Sequence, residues 1–449
     1  MDLLMEVFLE ELIIYGTVFL ICLVVVIFYL RQQKKTSEIT TKKIALAKEE
    51  GLFEPVSLHP YIDLGTCIGS AACISACPEK DILGIVGGKA TVINASNCVG
   101  HGACFHACPV EAISLRIGTE KRGVDLPHVN ENYESNMQGI FIAGELGGMG
   151  LIKNSVEQGQ LAMENIAKQI KGQKEGAVDV AIIGAGPAGI SATLMAKKLG
   201  LSTVTLEQDS LGGTVYTFPR SKIVMTAPME LPLYGKVKLF DTSKGELLKI
   251  WNEVIEKHGV EIKEHTKVDE IRPLESGVFK LITSKGDEIL AQKVLLAIGR
   301  RGTPRKLGVP GEDTEKVAYR LLEPEMIEDK KVVVVGGGDS AIESAMLLMA
   351  QNEVILSYRK DKFSRLKPKN KARIEEAFNS GKIKPMFNTN LVSINPDSVL
   401  IKNSETEEIA EVPNDLVYIF AGGELPTSFL QKAGVEITKR FGYILKKHK

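Results

Sequence analysis

Two glycine-rich turns, one at Gly184 and one at Gly336, constrain the fold of this chain more than any other feature. The first lies in VDVAIIGAGPAGISATLMAKKLGLSTVTLEQ, which reads as strand, turn, helix and strand. Gly184, Gly186 and Gly189 have the spacing G-x-G-x-x-G. In such a turn the first glycine permits the tight bend, the second lets a pyrophosphate approach the backbone, and the third lets helix and strand pack. The helix N-terminus adds N–H donors and a favourable dipole. Glu207 ends the second strand, where an acid binds a ribose diol. The second motif, KKVVVVGGGDSAIESAMLLMAQNEVILSYRKDKF, repeats the pattern with Gly336, Gly338 and Ala341. Its second strand ends on Arg359 and Lys360, with Arg365 nearby, instead of an acid. Basic groups at that place suit the 2′-phosphate of NADPH; the bland alternative is a solvated surface. From Val178 onward strands alternate with helices, which predicts an α/β protein with two dinucleotide domains built on doubly wound parallel sheets.

The cysteines point to a second kind of chemistry. Six of the seven lie between Cys67 and Cys108, in two copies of one pattern, CIGSAACISACP and CVGHGACFHACP. Such clustering in a long chain fits cofactor ligation better than a disulfide scaffold. Bacterial two-cluster ferredoxins carry C-x2-C-x2-C-x3-C-P twice, the fourth cysteine of each run ligating the other cluster. Residues 59–116 resemble that family throughout. Cys67, Cys73, Cys77 and Pro78 match one run, and Cys98, Cys104, Cys108 and Pro109 the other. The second cysteine of each run is replaced, by Ser70 and by His101. The resemblance implies an α+β two-cluster domain, with one iron–sulfur cluster on Cys67, Cys73 and Cys108 and another on Cys98, Cys104 and Cys77. Three thiolates leave either a 3Fe–4S cluster or a 4Fe–4S cube completed by Ser70, His101 or solvent. Imidazole is a reasonable iron ligand and a serine hydroxyl a poorer one. Zinc ligation and plain burial are the competing readings of these thiols.

The two dinucleotide motifs in this order, FAD type first and NADPH type second, resemble the thioredoxin-reductase-like flavoproteins. GGTVYTFPRSKIVM, VLLAIGRRGTP and GVPGE are further matches, and the resemblance covers roughly residues 121–449. Two departures matter. Where that family carries C-x-x-C, this chain has VAYRLLEPE, with Arg320 and Glu323 in place of the thiols. Disulfide exchange needs a thiolate, so the flavoprotein part is expected to resemble ferredoxin–NADP reductases of the same fold. The family also ends on a flavin-covering segment, whose match here comes early, as NMQGIFIAGELGGMGLIKNSVEQGQLAMENI, with Gly144 and Glu145 at the G-D position. That order reads as a circular permutation; an unrelated linker is the alternative.

Membrane attachment is the third expectation. Leu12 to Leu30 carry no charge, close to the ~20 residues that cross a bilayer as a helix. Arg31, Lys34 and Lys35 follow, while Asp2, Glu6, Glu10 and Glu11 precede. The positive-inside rule then predicts a single-pass anchor with the bulk of the chain cytoplasmic; a signal peptide and a core helix are the alternatives. The net charge of −1 suggests no nucleic-acid partner.

The expected organisation is an anchor at 12–30, a polar tether with some helix at 31–58, and the ferredoxin-like domain at 59–120. A flavin-covering segment follows at 121–172, an FAD domain at 176–305, an NADPH domain at 306–414, and a return to the FAD domain at 415–449. Such a chain would move electrons between NADPH, FAD and two clusters, to or from a ferredoxin, quinone or cytochrome. A membrane-bound redox sensor without rapid turnover is the alternative, and the resemblance also allows a homodimer.

Overall fold

The computed structural model describes residues 2–49, 52–55, 57–79, 81–148, 150–219, 223–225, 228–239, 241–300, 304–363, 366–424 and 426–448. They form two compact units, one of residues 1–122 with 442–449 and the other of residues 123–441.

In the first unit a single helix runs from Asp2 to Glu49. Its stretch Leu12–Glu49 contains the one segment, among the described residues, long and apolar enough to cross a membrane, and that segment is not buried. The expected tether at 31–58 is therefore mostly a rigid continuation of the helix. Beyond it, Leu58–Ile62 pairs antiparallel with Ile113–Ile117. A hairpin pairs Leu83–Val86 with Lys89–Val92. Two short helices, Ala72–Ala76 and Ala103–Ala107, follow the central cysteine-rich turns and pack together. The final strand, Tyr443–Lys446, pairs with the other edge of Ile113–Ile117. Residues 442–449 thus belong to the ferredoxin-like unit, a correction to the expected return of 415–449 to the FAD domain. The open edge of Ile113–Ile117 supplies the reason: its unpaired N–H and C=O groups take a third strand. His448, two residues on, stacks on Phe105 with ring centroids 3.6 Å apart.

The second unit holds two dinucleotide folds. In the first, Val178–Ile183 is flanked in parallel by Thr203–Leu206 and Glu288–Leu296, and Ile262–Lys263 extends the sheet beyond Thr203–Leu206. Ile140–Ile142 adds a further parallel strand against Val294–Leu296. The sheet is mixed, not wholly parallel as expected, because Val268–Pro273, Phe279–Thr283 and Glu288–Leu296 form an antiparallel meander. Connections of a few residues can join only antiparallel strands; parallel ones need a crossover. In the second fold Val317–Ala318, Leu416–Ile419, Lys331–Val335, Glu353–Tyr358 and Ile383–Phe387 form a parallel sheet in that order. Leu416–Ile419 thus belongs to the nucleotide sheet, and the chain rejoins the first fold with the helix Thr427–Lys432. Valines 332–334 are buried on both faces, as parallel strands between helices require.

Residues 136–168 are built into the first fold. Their strand lies in its sheet, and the helix Ile152–Ala167 lies along Pro187–Leu199. A Cβ on Gly159 would come 2.1 Å from the Ala188 carbonyl oxygen, so the two helices meet backbone to backbone. Ser191 Oγ donates to the Val156 carbonyl at 2.7 Å. Phe141, Ala162, Met163 and Ile166 share one core with Val180, Ile182 and Ala192.

Candidate functional site

The first glycine turn has the shape its spacing predicts. Gly184 sits at φ +100°, and a Cβ there would strike the Ala297 carbonyl oxygen at 2.6 Å. A Cβ on Gly189 would lie 1.8 Å from the Gly184 oxygen, which closes helix onto strand. Gly186 faces open space, with nothing within 4 Å of a Cβ. That open position at the start of Pro187–Leu199 is where a pyrophosphate would rest. Glu207 is buried and accepts from the backbone N–H of Ala185 at 2.7 Å and of Asp209 at 2.9 Å. Burial still pushes its pKa up, against those two bonds. Ribose hydroxyls donating to this carboxylate would offset that cost.

The second turn repeats this shape with an alanine in the third place. Gly336 would bring a Cβ within 2.7 Å of the Phe420 oxygen, Gly338 is open, and Ala341 is fully buried. Arg359 and Lys360 follow Glu353–Tyr358, exposed, at the mouth of the turn. Arg365 lies outside the described residues.

Both turns open on one cavity of about 1490 Å³. Its lining includes Gly184, Gly186, Glu207, Gly336, Gly338, Ala341, Arg359 and Lys360, together with Gly144 and Glu145 from the early segment. Single small-molecule pockets occupy roughly 300–1,000 Å³, so the space suits more than one ligand. Gly144 is held in place by its N–H, which donates to Gln158 Oε1 at 2.8 Å. Glu145 lies within electrostatic range of Arg300, whose pKa burial pulls down and Glu145 pulls back up. Several contributors had no sequence signal. Thr266 is tied to the Glu207 carbonyl through its N–H at 2.7 Å, and Phe429 and Lys432 reach the lining from the last helix. Arg320, standing where a redox thiol would be expected, pairs with Asp209 at 3.0 Å. No cysteine lies anywhere in residues 123–441.

In the ferredoxin-like unit the two cysteine runs cross. Cys67, Cys73 and Cys108 line a common small cavity with Ser70. Cys98 and Cys104 interact electrostatically with each other and with Cys77 from the first run. Burial pushes the Cys98 thiol up to about 11 and Cys104 up to about 12. Among the described residues, no three His, Cys, Asp or Glu side chains converge as ligands of a single ion. A multi-iron group spreads its ligands more widely, and buried soft sulfur suits it. Backbone N–H groups point at the sulfurs: Ala90 donates to Cys67 Sγ at 3.4 Å and Ala112 to Cys108 Sγ at 3.3 Å. His101 lies in the turn between Cys98 and Cys104. Its Nε2 is buried without a hydrogen-bond partner, and burial holds its pKa below the ordinary value. A neutral imidazole with a free ring nitrogen fits an iron ligand; Ser70 presents only a hydroxyl.

Comparison with known proteins agrees with this geometry. Residues 181–448 match the family described as pyridine nucleotide-disulphide oxidoreductase, and residues 59–109 match a 4Fe–4S dicluster domain. The chain is 27% identical over 266 residues to the bacilliredoxin reductase Bdr of Bacillus subtilis (strain 168), covering 58% of this chain and 82% of that one. It is 32% identical over 188 residues to a ferredoxin–NADP reductase of Ignicoccus hospitalis, covering 41% and 57%. A solved structure of the bacillithiol disulfide reductase Bdr from Staphylococcus aureus superposes with a TM-score of 0.51 at 25% identity, over 59% of this chain and 84% of that one.

Proposed function

Because the chain belongs to the pyridine nucleotide-disulphide oxidoreductase family, we propose that it is a membrane-anchored NADPH-dependent oxidoreductase. It moves electrons between NADPH, FAD and two iron–sulfur clusters, and so to or from a ferredoxin, a quinone or a cytochrome. The flavin-dependent pyridine-nucleotide chemistry and the ferredoxin-like domain come with the two matched families. The observation that carries the finer reading is the single cavity shared by both glycine turns, in a unit without cysteine. A disulfide cannot be the electron relay there, since exchange needs a thiolate.

A flavin, when bound, converts the two-electron chemistry of a nicotinamide into the one-electron chemistry of iron and sulfur. The work of the chain is to bind and orient. Gly186 and the N-terminal turn of Pro187–Leu199 hold a pyrophosphate, and Glu207 accepts from a ribose. Arg359 and Lys360 favour a 2′-phosphate. Gly144 and Glu145 come from the early segment to cover the flavin side, as in a permuted member of the fold. The family match begins only at residue 181, which leaves residues 136–168 to supply that piece from ahead of it. Cys67, Cys73 and Cys108 would hold one cluster, and Cys77, Cys98 and Cys104, with His101, the other. The uncharged run Leu12–Leu30 supports the membrane anchor.

The test is anaerobic turnover of the full chain in lipid nanodiscs, with ferredoxin, quinone and cytochrome acceptors supplied in turn. Rapid acceptor-dependent NADPH oxidation is expected. Bound FAD and iron without such turnover would assign the chain to sensing.

A further inference from the structure

The long first helix does not simply tether the ferredoxin-like unit. Gln33, Ser37, Thr40, Ile44 and Ala47 advance by three and four residues, so they share one face. Thr40 and Ala47 are buried and the other three half-buried, while their neighbours are exposed. The hairpin Leu83–Val92 covers this face. The Gly87 N–H donates to Ser37 Oγ at 3.2 Å. A Cβ on Gly84 would meet the Thr40 methyl at 2.7 Å, and one on Gly88 would meet Gln33 Nε2 at 2.9 Å. Lys43 pairs with Asp81 beside the hairpin.

The same hairpin holds one of the two cysteine turns. Ala90 donates to Cys67 Sγ, and Lys89 Nζ donates to the Cys67 carbonyl at 2.5 Å. Gly69 lies so close that a Cβ would be 2.0 Å from the Gly88 oxygen. The corresponding glycine of the other turn, Gly100, packs on Leu58 instead.

Helix geometry then fixes a height. The apolar run ends at Leu30; at about 1.5 Å per residue, Gln33 and Ser37 stand roughly 5 and 10 Å beyond it. The headgroup zone on each side of a bilayer is roughly 5–7 Å deep. With Leu12–Leu30 as the anchor, the Gly88 side of the hairpin tip, against Gln33, comes to the level of the headgroups, and the Gly87 side, against Ser37, lies just above them; Arg31, Lys34 and Lys35 there suit anionic lipid. On the cysteine turn beside that tip, Ile68 is 64% exposed and Leu64 56%.

We propose that the Leu64–Ser70 loop and the Gly87–Gly88 turn form a membrane-facing surface. The Cys67, Cys73 and Cys108 set then stands at the bilayer interface, and the Cys77, Cys98 and Cys104 set stands farther from it. This rests on the reading of Leu12–Leu30 as an anchor.

The test uses the full chain in nanodiscs made with lipids brominated near the headgroup. Ile68→Trp and Leu64→Trp are compared with Val99→Trp, at the same place in the other turn but half-buried, so each bromolipid quenching is divided by the quenching of the same variant by aqueous acrylamide; the buried Trp251 is a background common to all three. This ratio at positions 68 and 64 is expected to be at least twice that at 99. Equal ratios, or a larger one at 99, overturn the proposal and leave the anchor intact. Flotation separates the two ideas: a chain that does not float with vesicles refutes the anchor, and this surface with it.

Discussion

Gly159→Ala should cost the protein its flavin. The added methyl would lie 2.1 Å from the Ala188 oxygen and 2.9 Å from its carbonyl carbon. Ordinary contact begins near 3.4 Å, and a backbone carbonyl cannot turn aside as a flexible side chain can. The helix Ile152–Ala167 must retreat from Pro187–Leu199 by about 1.3 Å, an overpacking strain of about 1–3 kcal/mol. The retreat also stretches the bond from Ser191 to Val156, worth about 1 kcal/mol. Together these predict a loss of about 2–4 kcal/mol and, for a unit of this size, a fall in Tm of roughly 3–6 °C. Ala188 belongs to the helical turn that faces the pyrophosphate site, so FAD affinity should fall at least tenfold, since 1.4 kcal/mol is a factor of ten. Flavin absorbance after gel filtration and a thermal melt measure both. Gly147→Ala is the control, because nothing lies within 4 Å of its Cβ. A Gly159→Ala protein with full FAD and an unchanged melt, or equal losses in the control, would refute the assignment of residues 136–168 to the flavin fold.

Replacing Arg359 and Lys360 with alanine should weaken NADPH about tenfold or more relative to NADH, as a lost charge-assisted hydrogen bond of about 1.5–3 kcal/mol implies; the ratio of kcat/KM for the two nucleotides reports it, and equal losses would remove the 2′-phosphate role. His101→Ala should alter one cluster alone, by loss of an iron or a shift in potential, whereas Ser70→Ala should do much less. Electron paramagnetic resonance with iron counting decides this, and identical spectra for wild type and His101→Ala would leave the imidazole a bystander.

The sequence is most informative where backbone geometry demands one residue type. The spacing of Gly184, Gly186 and Gly189 is enough to give each a distinct task, because a positive φ, an open approach and a close packing each exclude a side chain. The crossed cysteine sets are legible through the repeat. The early strand and helix are legible only through residue order, and Gly159 gives no signal of its contact with Ala188. Long-range pairing is hardest to read. Nothing in Tyr443–Lys446 says that it will edge the sheet of Leu58–Ile62, some hundreds of residues earlier, and not the nearer flavin fold. The polar stretch after Leu30 reads as a tether because its buried stripe consists of Gln33, Ser37, Thr40, Ile44 and Ala47, mostly polar or small residues that hydropathy does not mark. Arg320 stands out in the sequence as a missing cysteine, but its ion pair with Asp209 depends on two sheets meeting across the cavity.

One electron path is proposed to join the nucleotide, flavin and iron–sulfur groups. Purified full-length protein should be titrated anaerobically, followed by flavin absorbance and by electron paramagnetic resonance of the clusters. Either NADPH reduces flavin and clusters together, or NADP+ reoxidises both in dithionite-reduced protein. Clusters whose oxidation state ignores both nucleotides, in a protein that holds FAD and its iron, would show that no such path exists.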